Sequence, residues 1–167
     1  GVAPLMLIST LTEEGTFSNE LAHIILNDQD VQNNLIENIV RNMEEKQYYG
    51  LDIDFEYVLP EDREKFVAFV QNVRNRLEQE GYPVLIALAP KVSSDQQGLL
   101  YEAHDYPALG EAANRVLLMT YEWGYTYGPA MAVAPVNRFQ IMDMISYYPM
   151  FKGYQGRILF QMLRLYN

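Results

Sequence analysis

The sequence contains no cysteine, few basic side chains and no long apolar run. Without cysteine, neither a disulfide scaffold nor a thiolate zinc site can form. Lysine and arginine number 12 against 22 aspartates and glutamates, and the resulting net charge of -10 argues against nucleic acid or an anionic membrane surface as the main partner. No apolar stretch approaches the ~20 residues that a membrane-spanning helix needs, so we expect no membrane insertion.

The remaining composition is that of an ordinary globular protein. The chain has 167 residues, of which 49% are hydrophobic, and this length suits a single domain. Aromatic residues make up 13%, with 13 tyrosines and one tryptophan. This aromatic content favours a surface that stacks on a ligand.

Short apolar runs alternate with helical stretches along the chain. The predicted strands are Pro4–Ser9, Gly50–Val58, Val84–Ala89, Val116–Tyr121 and Ile158–Leu163. The predicted helices cover about 18–26, 31–43, 60–77, 107–113 and 137–145. This alternation predicts an α/β fold of parallel β/α units, either a doubly wound sheet or part of a (β/α)8 barrel, which typically takes ~250 residues when complete.

Three acidic residues alternate with apolar ones in the second predicted strand. Asp52, Asp54 and Glu56 would therefore point to one face of the strand. A half-exposed strand with a solvated acidic face is one explanation, and a divalent cation held by carboxylates is another. Parallel units usually cover both faces of a sheet, however, and covered carboxylates are costly unless they share protons, bind a cation or react.

A reactive role follows from the spacing of these acids. Carboxylates so close together cannot all ionise freely, so at least one pKa is expected to rise and the group to titrate as a coupled set. Glu56 lies furthest toward the carboxyl end of the strand, where barrel enzymes keep their reactive groups. A protonated Glu56 could donate its proton to a leaving oxygen, and Asp54 could share or relay that proton.

Two motifs resemble those of the family 18 glycoside hydrolases, the chitinase family. The segment Gly50–Glu56 is similar to the fourth-strand signature D-G-x-D-x-D-x-E, and Met119–Glu122 is similar to the sixth-strand motif M-x-Y-D. The wider segment Met119–Pro135 resembles the bacterial branch that cleaves peptidoglycan, including spore-cortex N-acetylglucosaminidases. The resemblance covers most of the chain, from the third barrel strand to about the seventh.

The resemblance implies a partial (β/α)8 TIM barrel of about five units, with residues 1–167 forming one truncated catalytic domain. It also implies retaining hydrolysis in which the substrate's own acetamido oxygen replaces a protein nucleophile, without a cofactor or metal. Glu56 matches the general acid/base, Asp54 the residue that orients the acetamido group, and Asp52 the acid that tunes Asp54. Tyr121 matches the hydroxyl that binds the acetamido carbonyl, and Met119 the apolar floor beneath the sugar.

The last residue of the second motif and the residues after it are further candidates for substrate binding. Glu122 stands where most family members have aspartate, one methylene shorter. Trp123 can stack on a sugar ring or anchor the core, and Tyr125 can bind substrate or pack a turn; the sequence leaves both choices open. In contrast, His23 and His104 lack a metal-like spacing and are interpreted as surface or capping residues.

The resemblance implies a polysaccharide of β-linked N-acetylglucosamine as the partner, with peptidoglycan or spore cortex preferred over chitin. It places the protein at the bacterial cell wall, at the spore or outside the cell. A catalytically silent glycan-binding module, a non-functional fragment and an intracellular cation-binding protein are the alternatives. With the first two strands and the eighth missing, open barrel edges also predict self-association.

Overall fold

The computed structural model describes residues 1–91 and 93–119 and the backbone of Arg157–Phe160. Within these residues, five parallel strands form one sheet: β1 (Leu5–Ser9), β2 (Gly50–Asp54), β3 (Val84–Leu88), β4 (Arg115–Leu118) and β5 (Arg157–Phe160). The strands lie side by side in chain order, without the reversal that marks a doubly wound sheet. This order is that of successive barrel units and confirms the predicted partial β/α barrel.

In the described residues, four helices lie in the connections from β1 to β4: α1 (Asn19–Asn27), α2 (Gln29–Lys46), α3 (Arg63–Glu78) and α4 (Tyr106–Ala112). Polar side chains cap three of them. Ser18 accepts a hydrogen bond from a first-turn amide of α1, Asp28 does the same for α2, and Asp105 for α4. The helix limits agree with the predicted ones to within a few residues, except that a short 3₁₀ turn at Pro60–Asp62 precedes α3.

The helices pack against one face of the sheet, which we call the helix face. Its apolar side chains join those of the helices in a single core. The strand residues in this core are Met6, Ile8, Leu51, Ile53, Val84, Ile86, Leu88, Val116 and Leu118. Because neighbouring residues of a strand point to opposite faces, the residues between them lie on the other side of the sheet.

We call this second face, which carries Asp52 and Asp54, the acid face. Strand register places Leu7 of β1 beside Asp52, and Leu85 of β3 on its other side. One step further along the strands, Ser9 pairs with Asp54. Since the helices cover the helix face, the acid face corresponds to the interior of a barrel.

The first residue of β2 is Gly50, and the backbone at Pro83 approaches it closely. A Cβ atom there would lie 2.7 Å from the Pro83 carbonyl oxygen and 2.9 Å from Pro83 Cγ. That carbonyl accepts a hydrogen bond from the Leu51 amide at 2.9 Å. A side chain at this position would therefore separate β2 from the residue that leads into β3.

The strand carrying the acids is shorter than its alternation predicts. The sequence predicts Gly50–Val58, whereas β2 ends at Asp54. Tyr57 adopts a left-handed backbone conformation with a φ of 56°, which is incompatible with a continuing strand. The predicted helix over 137–145 lies outside the described residues. Among the described helices, none is long and apolar enough to cross a lipid bilayer.

Candidate active site

The predicted acids occupy the carboxyl end of β2. Asp52 is 8% exposed, and Asp54 and Glu56 are half-buried. Asp52 and Asp54 belong to the strand, whereas Glu56 follows it by two residues. The predicted alternation is confirmed for Asp52 and Asp54, because Ile53 and Phe55 are buried in the core of the helix face.

Asp52 and Asp54 are poorly solvated carboxyl groups. The Oδ1 atom of each is buried and has no hydrogen-bond partner among the residues that the structure describes. Burial raises the pKa of Asp52 to about 6, and the adjacent charge of Asp54 contributes to that rise. Burial also raises the pKa of Asp54. Two neighbouring carboxyls with raised pKa values titrate as a coupled pair, as the spacing of the acids predicts.

The segment between Asp54 and Glu56 is anchored to α3 through an aromatic cluster. The ring of Phe55 lies 5.9 Å from that of Phe66 and 5.4 Å from that of Phe69, with nearly parallel planes in both pairs. All three side chains are at most 1% exposed. These contacts fix the position of Phe55, the residue that directly precedes Glu56.

His104 lies behind this segment, and its interpretation as a surface or capping residue is wrong. The residue is 1% exposed and contacts the ring of Phe66. Its Nδ1 lies 3.2 Å from the Ala89 amide nitrogen, and its Nε2 lies 3.2 Å from the Phe55 carbonyl oxygen. Burial lowers the pKa of His104 to about 4, so the imidazole is neutral at neutral pH. His23, in contrast, is partly exposed and contacts Asp62.

Aromatic side chains at the same end of the sheet line a cavity that the sequence analysis did not identify. Phe17, Tyr57 and Leu99 contribute its apolar wall, and Asn19 adds a polar group. The cavity has a volume of about 440 Å³, and the rings of Phe17 and Tyr57 lie 6.2 Å apart. Only Tyr57 gave a sequence signal, since it directly follows Glu56 and belongs to an aromatic-rich chain.

Of the residues predicted around the second motif, Met119 is the one that the structure describes. It follows β4, is half-buried, and its amide donates a hydrogen bond to the Leu88 carbonyl at 3.1 Å. Strand alternation places it on the acid face with Leu117. Four other predicted site residues lie outside the described residues: Tyr121, Glu122, Trp123 and Tyr125.

No group of three or more histidine, aspartate or glutamate side chains in residues 1–91 and 93–119 could hold a metal ion. Asp52, Asp54 and Glu56 follow one another along a single chain segment instead of surrounding a point. Their arrangement suits proton sharing along a row better than cation coordination, which takes six or more oxygen ligands for calcium.

Parallel strands that lie side by side in chain order are typical of a β/α-barrel protein, and this one carries a row of acidic residues at the carboxyl end of one strand. The profile of the family described as "Glycosyl hydrolases family 18" matches residues 12–166. The chain belongs to this family.

Proteins of spore-forming bacteria are among its relatives. The "Cortical fragment-lytic enzyme" of Bacillus subtilis is 46% identical over 143 residues, which cover 86% of this chain and 33% of the relative. The crystal structure of the Bacillus cereus spore cortex-lytic enzyme SleL superposes with a TM-score of 0.81 and 37% identity, covering 94% of this chain and 35% of that one.

A chitinase structure shares the fold at lower identity. The crystal structure of chitinase from Chromobacterium violaceum superposes with a TM-score of 0.78 at 23% identity, covering 94% of this chain and 48% of that chain. The 167-residue chain spans about a third of the length of the B. subtilis relative and of the SleL structure.

Proposed function

We propose that this chain carries the acid-bearing part of a glycoside hydrolase that cleaves polymers of β-linked N-acetylglucosamine. The observation that carries the proposal is the pair of Asp52 and Asp54, four and two residues before Glu56 at the carboxyl end of β2, each with a buried Oδ1 that has no hydrogen-bond partner among the described residues. The names of the B. subtilis and B. cereus relatives support spore-cortex peptidoglycan over chitin as the substrate.

The proposed reaction has two steps. In the first, the acetamido oxygen of the substrate attacks the anomeric carbon as the glycosidic bond breaks, and Glu56 gives its proton to the leaving oxygen. In the second, Glu56 takes a proton from water while the water oxygen bonds to the anomeric carbon and the acetamido oxygen leaves. The configuration is retained because the carbon is attacked twice.

Asp54 and Asp52 would support the positive charge that develops between these steps. An ionised Asp54 accepts a hydrogen bond from the acetamido N–H and opposes the charge of the cyclic intermediate. With its pKa raised to about 6, Asp52 can retain a proton below that pH while Asp54 ionises. In this role a protonated Asp52 is neutral and places no second negative charge beside Asp54, and it does not touch the substrate.

Mass spectrometry of N-acetylglucosamine oligomers and peptidoglycan fragments incubated with the chain tests the proposal. Glu56→Gln keeps the size of the side chain but removes the transferable proton, so we expect cleavage to fall by at least about 100-fold. Glu61→Gln is the matched control, because Glu61 is exposed in the 3₁₀ turn before α3. Undiminished cleavage by Glu56→Gln would refute the assignment of the acid.

Binding without cleavage would favour the alternative of a glycan-binding module. Oligomer binding by the unmodified chain, with no products at any incubation time, would give that result. Self-association through open strand edges stays a prediction; within the described sheet, β1 and β5 each have a neighbouring strand on one side only.

A further inference from the structure

His104 has a single hydrogen-bonding state in its buried position. The Ala89 N–H can only donate, and the Phe55 carbonyl can only accept. The imidazole must therefore accept at Nδ1 and donate at Nε2, which is the neutral Nε2–H tautomer. A charged imidazole would carry protons on both nitrogens and would lose the bond to Ala89.

These two bonds join the chain just beyond the ends of two neighbouring strands. Phe55 and Ala89 each follow the last residue of their strand, β2 and β3 respectively. The pairing between these strands extends only to Ile53 and Ile86. Beyond that point, His104 makes the lateral connection that backbone hydrogen bonds make within a sheet.

The bond to Phe55 acts directly on the geometry of Glu56. The Phe55 carbonyl and the Glu56 N–H belong to one planar peptide unit, so a bond to the oxygen also restricts the orientation of the amide. The Phe55 ring is already fixed by Phe66 and Phe69. With the ring and the carbonyl both held, the direction in which the Glu56 side chain leaves the backbone is restricted.

The imidazole is itself held in place from several sides. Lys91 is 2% exposed, and its Nζ donates a hydrogen bond to the His104 carbonyl at 2.6 Å. The His104 amide donates to the Tyr101 carbonyl at 3.1 Å, and the Phe66 ring lies 6.0 Å from the imidazole. His104 is therefore a fixed point against which the Phe55–Glu56 peptide is set.

We propose that His104 is a positioning residue of the hydrolase: its Nε2–H, bonded to the Phe55 carbonyl, holds Glu56 where its carboxyl can protonate the leaving oxygen. The inference rests on the proposed function. His104 acts through the Phe55–Glu56 peptide, because its two imidazole nitrogens bond to backbone atoms of Ala89 and Phe55. Its loss should slow proton transfer and leave substrate binding largely intact, which separates the effects on kcat and KM.

Two substitutions and a stability control test this role by steady-state hydrolysis of N-acetylglucosamine oligomers. His104→Leu keeps much of the volume and removes both bonds, whereas the amide of His104→Gln can still accept and donate. Val73→Ala destabilises α3 at a buried site outside the aromatic cluster. We expect His104→Leu to lower kcat by about 10-fold or more with KM within about 3-fold, and His104→Gln and Val73→Ala to keep kcat within about 3-fold.

A kcat of His104→Leu within about 3-fold of that of the unsubstituted chain would overturn the proposal. The proposal would also be overturned if Val73→Ala had the same Tm as His104→Leu and lost as much kcat. If His104→Leu does not fold, the kcat of His104→Gln and the spectra described next decide the question. A 10-fold kcat loss confined to the leucine variant would support it.

NMR spectroscopy judges the inference independently of hydrolysis. In the unsubstituted chain, nitrogen-15 shifts should show the Nε2–H tautomer of His104, and the Nδ1–H tautomer would overturn the proposal. The Glu56 amide resonance should move in His104→Leu and stay in place in Val73→Ala; an unmoved resonance in His104→Leu would also overturn it. If the unsubstituted chain hydrolyses nothing, the proposed function fails and these spectra still decide whether His104 sets the Glu56 peptide.

Discussion

Two buried aspartates in this chain have opposite surroundings. Asp62, at the start of α3, accepts hydrogen bonds from His23 at 2.6 Å and from Asn27 at 2.8 Å, and Lys65 lies 3.8 Å away. Burial alone would raise its pKa, but these bonds and positive charges lower it. Asp52 has a buried oxygen without a partner in the described part of the chain, and burial raises its pKa to about 6.

The difference follows from the side of the sheet to which each aspartate belongs. Asp62 lies among the helices that cover the helix face, where His23 and Asn27 of α1 donate hydrogen bonds to it. Asp52 lies on the acid face, whose carboxyls are kept under-solvated. The apolar core lies on one side of β2 and the under-solvated carboxyls lie on the other, and residues one position apart in the strand belong to different sides.

The largest effect should come from breaking the helix face. Phe55→Ala removes a buried ring stacked on two others, so we expect the free energy of unfolding to fall by about 3–5 kcal/mol. Leu7→Ala is the matched control on the acid face, because Leu7 is 56% exposed, and should change it by less than about 0.5 kcal/mol. Urea unfolding measures both, and equal losses would show that the two faces do not differ as described.

The next effect is a gain in stability from neutralising the acid face. The folded pKa of Asp52, about 6, lies above the unfolded value of about 3.9, so the folded state binds more protons between these pH values. The unsubstituted chain therefore loses stability as the pH rises through this window. Asp52→Asn cannot ionise, and we expect it to stabilise the fold by about 1–3 kcal/mol at pH 8 and by little at pH 4.

Urea unfolding of both proteins at the two pH values measures this difference. The ionisation of His104 has the opposite effect on the pH dependence of stability. Because burial lowers its pKa to about 4, the folded state loses stability as the pH falls below about 6.5. This contribution is common to both proteins and cancels to first order in the difference between them. A gain that is the same at pH 4 and pH 8 would contradict the raised pKa of Asp52.

The regular part of this architecture could be predicted from the sequence. Apolar runs predict all five strands, and a period of two residues assigns Asp52 and Asp54 to one face and Ile53 to the other. These features repeat along the chain and depend on local chemistry. The end of β2 could not be predicted in this way, because the left-handed Tyr57 interrupts a pattern that continues to Val58.

Isolated contacts between residues far apart in the sequence could not be predicted either. His104 contacts Phe55 across 49 positions, and His23 contacts Asp62 across 39. A single histidine has no periodicity, and spacing rules detect histidines that share a metal, not those that bond to backbone. Both histidines gave the same sequence signal, yet one is buried behind the acid-bearing segment and the other is half exposed.

The smallest predicted effect tests the partnered aspartate. Asp62→Asn keeps the shape of the side chain, but an amide replaces a carboxylate that only accepts hydrogen bonds and that faces two donors, His23 and Asn27. We therefore expect the free energy of unfolding, measured in urea, to fall by about 1 kcal/mol at pH 7. The lowered pKa of Asp62 means that its stabilising charge is present above the unfolded value of about 3.9 and is lost as the pH falls through the folded value. The loss should therefore shrink toward pH 3, opposite in sign to the gain from Asp52→Asn, with the exposed Glu61→Gln as a neutral control. If Asp62→Asn instead stabilised the fold at pH 7, as expected for Asp52→Asn, burial alone would govern both aspartates and the hydrogen bonds to His23 and Asn27 would contribute nothing.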